Sequence, residues 1–514
     1  MTSSFSFVGA DRRLALSAIA LAATTFIAGC ADMRGIDTHA QLRSPQSVGL
    51  LTEPSAADQA AAVAPVDAQW WKGLGDAQLN ALIDTALADN PNLQSAQARI
   101  RKAWSLAQVS ESALGPQVNG QASATRNHAP ANGLVPPPLA GNNYSTAEAR
   151  INGSWSLDLF GKHRAALDAA VGSARAAQAD MDAARVLLTS NMVLAYVQLS
   201  RLQAQEEVAV RAIDQRAHTL QLVRDRYDAG LDTTLEVRQS ESGVPQAKVQ
   251  LLQVREQKQL AQNALAALMG QPARAQELVA SPIAQLSLPR FPVQLSSNLL
   301  GRRADIVAAR WRVEAAEQGI RQAKAEFYPD IDLTAFLGLS SIGFNNFAKG
   351  SAREWGVGPA LSLPIFDSGR LRANLSGKSA DYELAVQAYN QAVITAVHDV
   401  ADQVASARSA HAQLPEQRRA ADAAQSALDI ANQRYAAGLG TYLNVLSAET
   451  NVLAQRQQMV DVEARILSSN AALAQALGGG YLEQTHSSDS SDSRANPDST
   501  SSTQTNTPMD SAKS

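Results

Sequence analysis

Apolar and polar positions alternate along this chain with two different periods, and the periods divide it into elements. Between Ala149 and Phe160, the residues Ile151, Gly153, Trp155, Leu157 and Leu159 alternate with Arg150, Asn152, Ser154, Ser156 and Asp158. A period of two puts each set on its own face of a strand. Ile331, Leu333, Ala335, Leu337 and Leu339 alternate in the same way with Asp332, Thr334 and Ser340. So do Trp355, Val357, Leu361, Leu363 and Ile365 with Gly356, Gly358, Ala360 and Ser362. A fainter strand pattern runs from Val118 to Thr125. After each strand pair the period lengthens to seven, through Leu167, Ala174, Met181, Leu188, Ala195, Leu202 and Ala209 and again through Val386, Val393, Val400, Ala407, Leu414, Ala421 and Leu428. This is a coiled-coil seam, and its alanines permit close helix approach. A helix from Lys162 to Tyr227 would be roughly 100 Å long at the usual rise per residue. Two shorter helices, Ala77 to Leu114 and Leu235 to Met269, would run the same distance if stacked end to end beside it.

The pattern occurs twice. Pro91 and Ala304 open comparable helices, which close at Pro116 and Pro329, and the same number of residues separates the members of both pairs. "WSLDLFGKHRAAL" from Trp155 matches "LSLPIFDSGRLRANL" from Leu361, and "RYDAGL" from Arg226 matches "RYAAGL" from Arg434. Each copy reads helix, two strands, long helix, tight turn, helix. Four strands cannot close a barrel, which takes about eight, and an open edge in lipid would leave backbone groups unpaired. Strands of this kind in a membrane must therefore be pooled from several copies of the chain.

The ends of the chain add the compartment. Arg12 and Arg13 precede an apolar run from Leu14 to Ile27, too short for the roughly 20 residues of a membrane span but suited to a signal peptide. The run ends in Ile27-Ala28-Gly29-Cys30, and Cys30 is the only cysteine, so no disulfide is available to it. No later segment is apolar enough for a transmembrane helix. Segment 482–514, mostly Ser, Thr, Asp, Asn and Gln, cannot bury enough apolar area to offset ordering and reads as a disordered tail. A net charge of −4 and the lack of a basic stripe give no sign of nucleic-acid binding. The seven histidines, among them His163, His218, His398 and His411, show no metal-ligand spacing, and no catalytic motif is present, so no enzyme activity and no cofactor are expected.

The order Ile-Ala-Gly-Cys resembles a bacterial lipobox. With "WWKGLGDAQLNALI" from Trp70, "RRADI" from Arg302, "PIFDSGRLRANL" from Pro364, the paired "RYxAGL" turns and "LGGGY" from Leu477, the chain resembles the TolC- and OprM-like outer-membrane efflux factors, in particular their NodT-type lipoprotein branch. Ala304 stands where that family usually has proline. The resemblance implies a mixed α and β membrane protein whose two-fold repeated unit forms, as a homotrimer, a twelve-stranded outer-membrane β-barrel and a long periplasmic α-helical barrel. It implies a passive exit duct meeting a periplasmic adaptor and an inner-membrane pump of the RND type, in contact with outer-membrane lipids. A diacylglycerol and an N-acyl chain would sit on Cys30, and Ala31 after it favours the outer membrane. The expected divisions are 1–29 signal peptide, 30–68 lipidated segment, 69–285 and 286–481 the two repeats, and 482–514 tail. A periplasmic adaptor lipoprotein is the alternative reading, disfavoured by two hairpins and only four strands; a type I secretion duct is another.

The turns at Tyr227 to Gly230 and Tyr435 to Gly438 end a long helix with glycine at the left-handed position. On the family's plan they form the periplasmic tip and contact the adaptor. The positions matching the family's constriction are Asp232 and Glu236 in the first copy, and Tyr442, Leu443, Asn444, Leu446 and Ser447 in the second. Asn444 and Ser447 stand where many relatives carry acids, so a closed ring would lean on Glu236 and Tyr442. Pro245 and Pro415 are expected to kink or break their helices. Trp155 and Trp355 are expected at a lipid interface.

Overall fold

The computed structural model describes residues 33–43, 66–287 and 302–481. The expected signal peptide, Cys30 and the polar tail at 482–514 lie outside the described residues.

The first helical stretch is two helices rather than one: α1 (Ala77–Asp89) and α2 (Pro91–Ser112). The break falls at Asn90-Pro91. Proline disfavours helical backbone at the residue before it, and Asn90 is extended with its side chain capping the Asn92 amide. Strands β1 (Gln117–His128) and β2 (Asn143–Ser156) follow, then the 67-residue α3 (Lys162–Asp228) and α4 (Thr234–Leu268). The same order returns as α5 (Ala304–Ala325), β3 (Asp330–Ile342), β4 (Arg353–Ser362), α6 (Arg370–Ala436) and α7 (Tyr442–Ala476). Corresponding helices match in length: 22 residues for α2 and α5, 67 for α3 and α6, and 35 for α4 and α7. No described helix is long and apolar enough to cross a membrane.

The strands form one antiparallel sheet in the order β1-β2-β3-β4, with β1 and β4 as its edges. Its register sorts the side chains cleanly. Ile151 faces Leu337 and Leu337 faces Trp355; Gly153, Ala335 and Val357 make the next row. On the opposite face Ser154, Thr334 and Gly358 align, as do Arg150, Gly338 and Glu354. The apolar face is uncovered, with Leu337 61% and Trp355 74% exposed. Two strands end earlier than their alternation suggests. Leu157 to Phe160 and Leu363 to Ile365 lie beyond β2 and β4, in the turns that start the long helices. There Asp158 accepts the His163 and Arg164 amides, and Asp367 those of Gly369 and Leu371. Lys162 pairs with Asp330, fixing the start of α3 to β3.

Every predicted seam position of α3 and α6, from Leu167 to Ala209 and from Val386 to Leu428, is buried or half-buried. Helices α2 and α4 pack on successive lengths of α3, as α5 and α7 do on α6. Midway along the shaft the helices gather around a core of Trp70, Trp71, Leu79, Ile83, Met192, Tyr196, Leu265 and Met269. Tyr196 is completely buried and its hydroxyl donates to Asp76, the N-cap of α1. Neither internal proline breaks its helix: α4 continues through Pro245 and α6 through Pro415.

Candidate gate at the helical tip

Farthest from the sheet, α3 turns into α4 and α6 into α7. Both turns close alike. Gly230 and Gly438 take φ of 73° and 74°, and Leu231 and Leu439 donate back to the Arg226 and Arg434 carbonyls at 2.8 Å. This reach of six residues satisfies carbonyls that the helix end leaves open, and it needs a residue free of the Cβ penalty at positive φ.

The surroundings of the two turns differ. Arg226, at the end of α3, makes a forked ion pair with Asp232 at 3.1 and 3.3 Å. It lies 4.5 Å from the Tyr435 ring centre and donates to the Tyr435 carbonyl at 2.8 Å. The Tyr435 hydroxyl in turn donates to Asp232. One acid, one guanidinium and one phenol thus lock the first turn to the end of α6. The Arg226 and Asp232 side chains are only 11% and 8% exposed. Burial and the hydrogen bond to Asp232 push the Tyr435 phenol far above its ordinary range, so it stays a donor. The hydrogen bond to Asp232 raises Arg226 as well.

The second turn has no such lock. Gly440 stands where the first copy has Asp232, and Arg434 donates instead to its own Leu439 carbonyl. The next helix starts differ too. Thr233 and Glu236 form a reciprocal capping box on α4, with the Thr233 amide donating to the Glu236 carboxylate at 2.9 Å. That hydrogen bonding to Thr233 holds Glu236 below its ordinary range. Asn444 occupies the corresponding place on α7, and Thr441 makes no side-chain cap there.

The expected gate residues therefore separate into two groups. Asp232 and Tyr442 are inside the protomer, Asp232 in the lock and Tyr442 in a cluster with Val223, Leu428, Tyr435, Val445 and Val452. Leu443, Asn444 and Ser447 are exposed, while Glu236 and Leu446 are half-buried. Of the expected adaptor-contact residues, Tyr227, Gly230 and Gly438 are exposed, whereas Tyr435 is buried and serves the lock. Arg226 is the residue that sequence reasoning missed. Its partner Tyr435 is 209 residues away, and periodicity carries no information over that distance.

A second overlooked residue, Glu449 of α7, faces Thr219 and Gln215 of α3. It lines a crevice of about 50 Å³ with Arg211, Arg216 and Arg456. Burial raises its carboxyl above the ordinary range.

The family model for outer membrane efflux proteins matches residues 82–271 and 295–479. The chain belongs to the outer membrane efflux protein family. The fusaric acid resistance protein FusA of Burkholderia cepacia is 38% identical over 71% of this chain and 69% of its own length. The multidrug resistance outer membrane protein MdtQ of Escherichia coli O157:H7 is 32% identical over 81% of this chain and 88% of its own. Among solved structures, the outer membrane protein VceC of Vibrio cholerae superimposes with a TM-score of 0.76 at 38% identity, covering 81% of this chain and all of VceC. The outer-membrane channel OprN gives 0.74 at 27% identity, over 88% of this chain and 99% of OprN. As an outer-membrane efflux protein, the chain holds a large helical portion in the periplasm.

Proposed function

We propose that three copies of this chain form the exit duct of a tripartite efflux system, conducting substrates without altering them. The observation that carries this is the sheet. It has one bare apolar face, one polar face and two unpaired edges, an arrangement stable in a bilayer only when edges pair between copies. Three sheets would then close one barrel of twelve strands, polar inside. The same symmetry bundles the shafts below it, with the tips directed at an adaptor and an inner-membrane pump. The names of FusA and MdtQ support small organic toxicants as cargo. Native mass spectrometry of the detergent-solubilised protein should give a trimer; a monomer at micromolar concentration would contradict the reading.

The tip lock belongs to the same proposal. Arg226, Asp232 and Tyr435 hold the first hairpin against the second in the resting state, and an adaptor contacting Tyr227, Gly230 and Gly438 would release them.

A lipid on Cys30 fits the path of residues 33–43. Met33 and Ile36 pack with Ile320, Ala323, Leu375 and Phe327 at the sheet end of the shaft. Farther along, the Arg43 amide donates to Asn390 at 2.9 Å, and Asn390 donates to the Gln41 carbonyl at 3.1 Å. The described segment thus begins at the sheet end of the shaft, three residues after Cys30 in sequence. Cys30→Ser should abolish metabolic labelling with palmitate.

A further inference from the structure

The polar face of the sheet carries a built cluster that neither strand pairing nor the tip lock requires. Arg150 of β2 reaches across β3 to Glu354 of β4, making a forked ion pair whose Nη2–Oε2 arm is 3.0 Å. It also meets Glu148, two residues back on its own strand, at 2.8 Å. The crossing is possible because the residue beneath it is Gly338: a Cβ there would come within 2.7 Å of Arg150 Cγ. Phe336 repeats the device one row away. Its ring lies over Gly356, where a Cβ would come within 2.6 Å, and Arg150 sits 5.3 Å from the ring centre. Two glycines in neighbouring strands thus let two large side chains lie flat on the wall instead of projecting from it.

The charges on this wall do not cancel. Glu148, Glu354 and Asp332 share the face with one guanidinium, Arg150, and the lysine nearby, Lys162, is taken by Asp330. The rest of the face is uncharged: Gln117, Asn119, Gln121, Asn127, Asn152, Ser154 and Thr334, with Tyr144, Phe336, Ile342 and small residues among them. The basic strand residues Arg126 and Arg353 have the opposite parity and belong to the outer face. We infer that the Glu148–Arg150–Glu354 cluster, repeated around the barrel, is a charge-selective belt that favours cations and cationic substrates. The inference rests on the trimeric duct reading, which turns the polar face inward and multiplies the net negative charge by symmetry. A pore with low-dielectric walls focuses such a charge onto passing ions. Because the side chains lie flat, the belt acts by field and leaves the lumen wide.

The test is the reversal potential of the purified trimer in planar bilayers under a potassium chloride gradient. Its dilute side should be about 0.01 M, where screening extends over roughly 30 Å. Each belt variant is also recorded in a Tyr435→Phe background, so that a closed tip does not dominate the series resistance. The wild type should favour potassium over chloride. Glu148→Gln with Glu354→Gln should lower that permeability ratio by about twofold or more, as expected when a ring of like charge is removed. Arg150→Gln should raise it. If Arg150→Gln fails to assemble, Glu148→Gln alone, which leaves the cross-strand fork intact, should still lower the ratio. Conducting trimers with an unchanged ratio in all variants would overturn the belt and reduce the cluster to a tie between strands. An absence of any conductance in both the wild type and the Tyr435→Phe background would overturn the duct reading, and the belt with it.

Discussion

At the scale of single residues, charge-assisted contacts at the tip add to the apolar cluster around Val223, Leu428 and Val445. Tyr435 donates to a carboxylate already paired with Arg226, and a hydrogen bond to a charged group contributes about 1.5–3 kcal/mol. Tyr435→Phe removes that bond and keeps the ring under Arg226, so the open fraction should rise roughly tenfold, the equivalent of about 1.4 kcal/mol. Single-channel open probability reads this out, and an unchanged value would remove Tyr435 from the lock. Glu449 makes a prediction of opposite character. Its folded carboxyl is raised by burial, so the native tip holds its proton more tightly than the unfolded chain does. The contribution to stability is therefore present below the ordinary carboxylate range and is lost as pH rises through the raised folded value. Thr219, Gln215, Arg211, Arg216 and Arg456 face it, and Arg216 and the two hydrogen bonds only partly offset burial. Amide protection factors around residues 445–452, which divide out the intrinsic pH dependence of exchange, should be higher in mild acid than at neutral pH, and Glu449→Gln should make them high at both. Persistent pH dependence in that variant would place the titrating group elsewhere.

Among the elements, the sequence carried most where burial repeats at fixed intervals. The heptad ladders of α3 and α6 could be read residue by residue because each rung faces another helix. Strand ends were read less well. The apolar alternation runs past Ser156 to Phe160, whose ring stacks on Tyr328 at 4.8 Å in the turn and so follows no strand. Strand β1 is longer than expected at both ends, because Gly120, Ala122 and Ala124 are too small to mark a face. The break at Asn90-Pro91 was written in the residue types, but the shaft beyond it masked the signal. In the site, the turns and their glycines were legible, whereas the lock was not, since it depends on helices meeting across the repeat. One close contact between elements can be tested directly. A Cβ on Gly172 of α3 would lie 3.1 Å from the Ala315 Cβ of α5. Gly172→Val should push these helices apart and cost about 1–3 kcal/mol, visible as a lower thermal midpoint, while Gly172→Ala should be much milder. Equal midpoints for both would mean that the contact is not tight. Pro415→Ala restores a backbone donor inside a helix that is already continuous, and should raise the midpoint without altering the fold.

At the scale of the whole molecule, the sheet and the helical tip lie at opposite ends of the shaft. In the proposed trimer the sheet end would make a polar lumen inside an apolar wall, the shaft would carry it across the periplasm, and the tip would close it. The core around Trp71 and Tyr196 braces the shaft at its midpoint, far from both. Planar-bilayer conductance tests this arrangement most directly. Purified wild type should insert as a channel that opens rarely, and Asp232→Asn, which weakens the ion pair while preserving shape, should conduct far more often with the same inserted trimer. Equal conductance in the two proteins, or none in either, would contradict a duct closed at its helical tip.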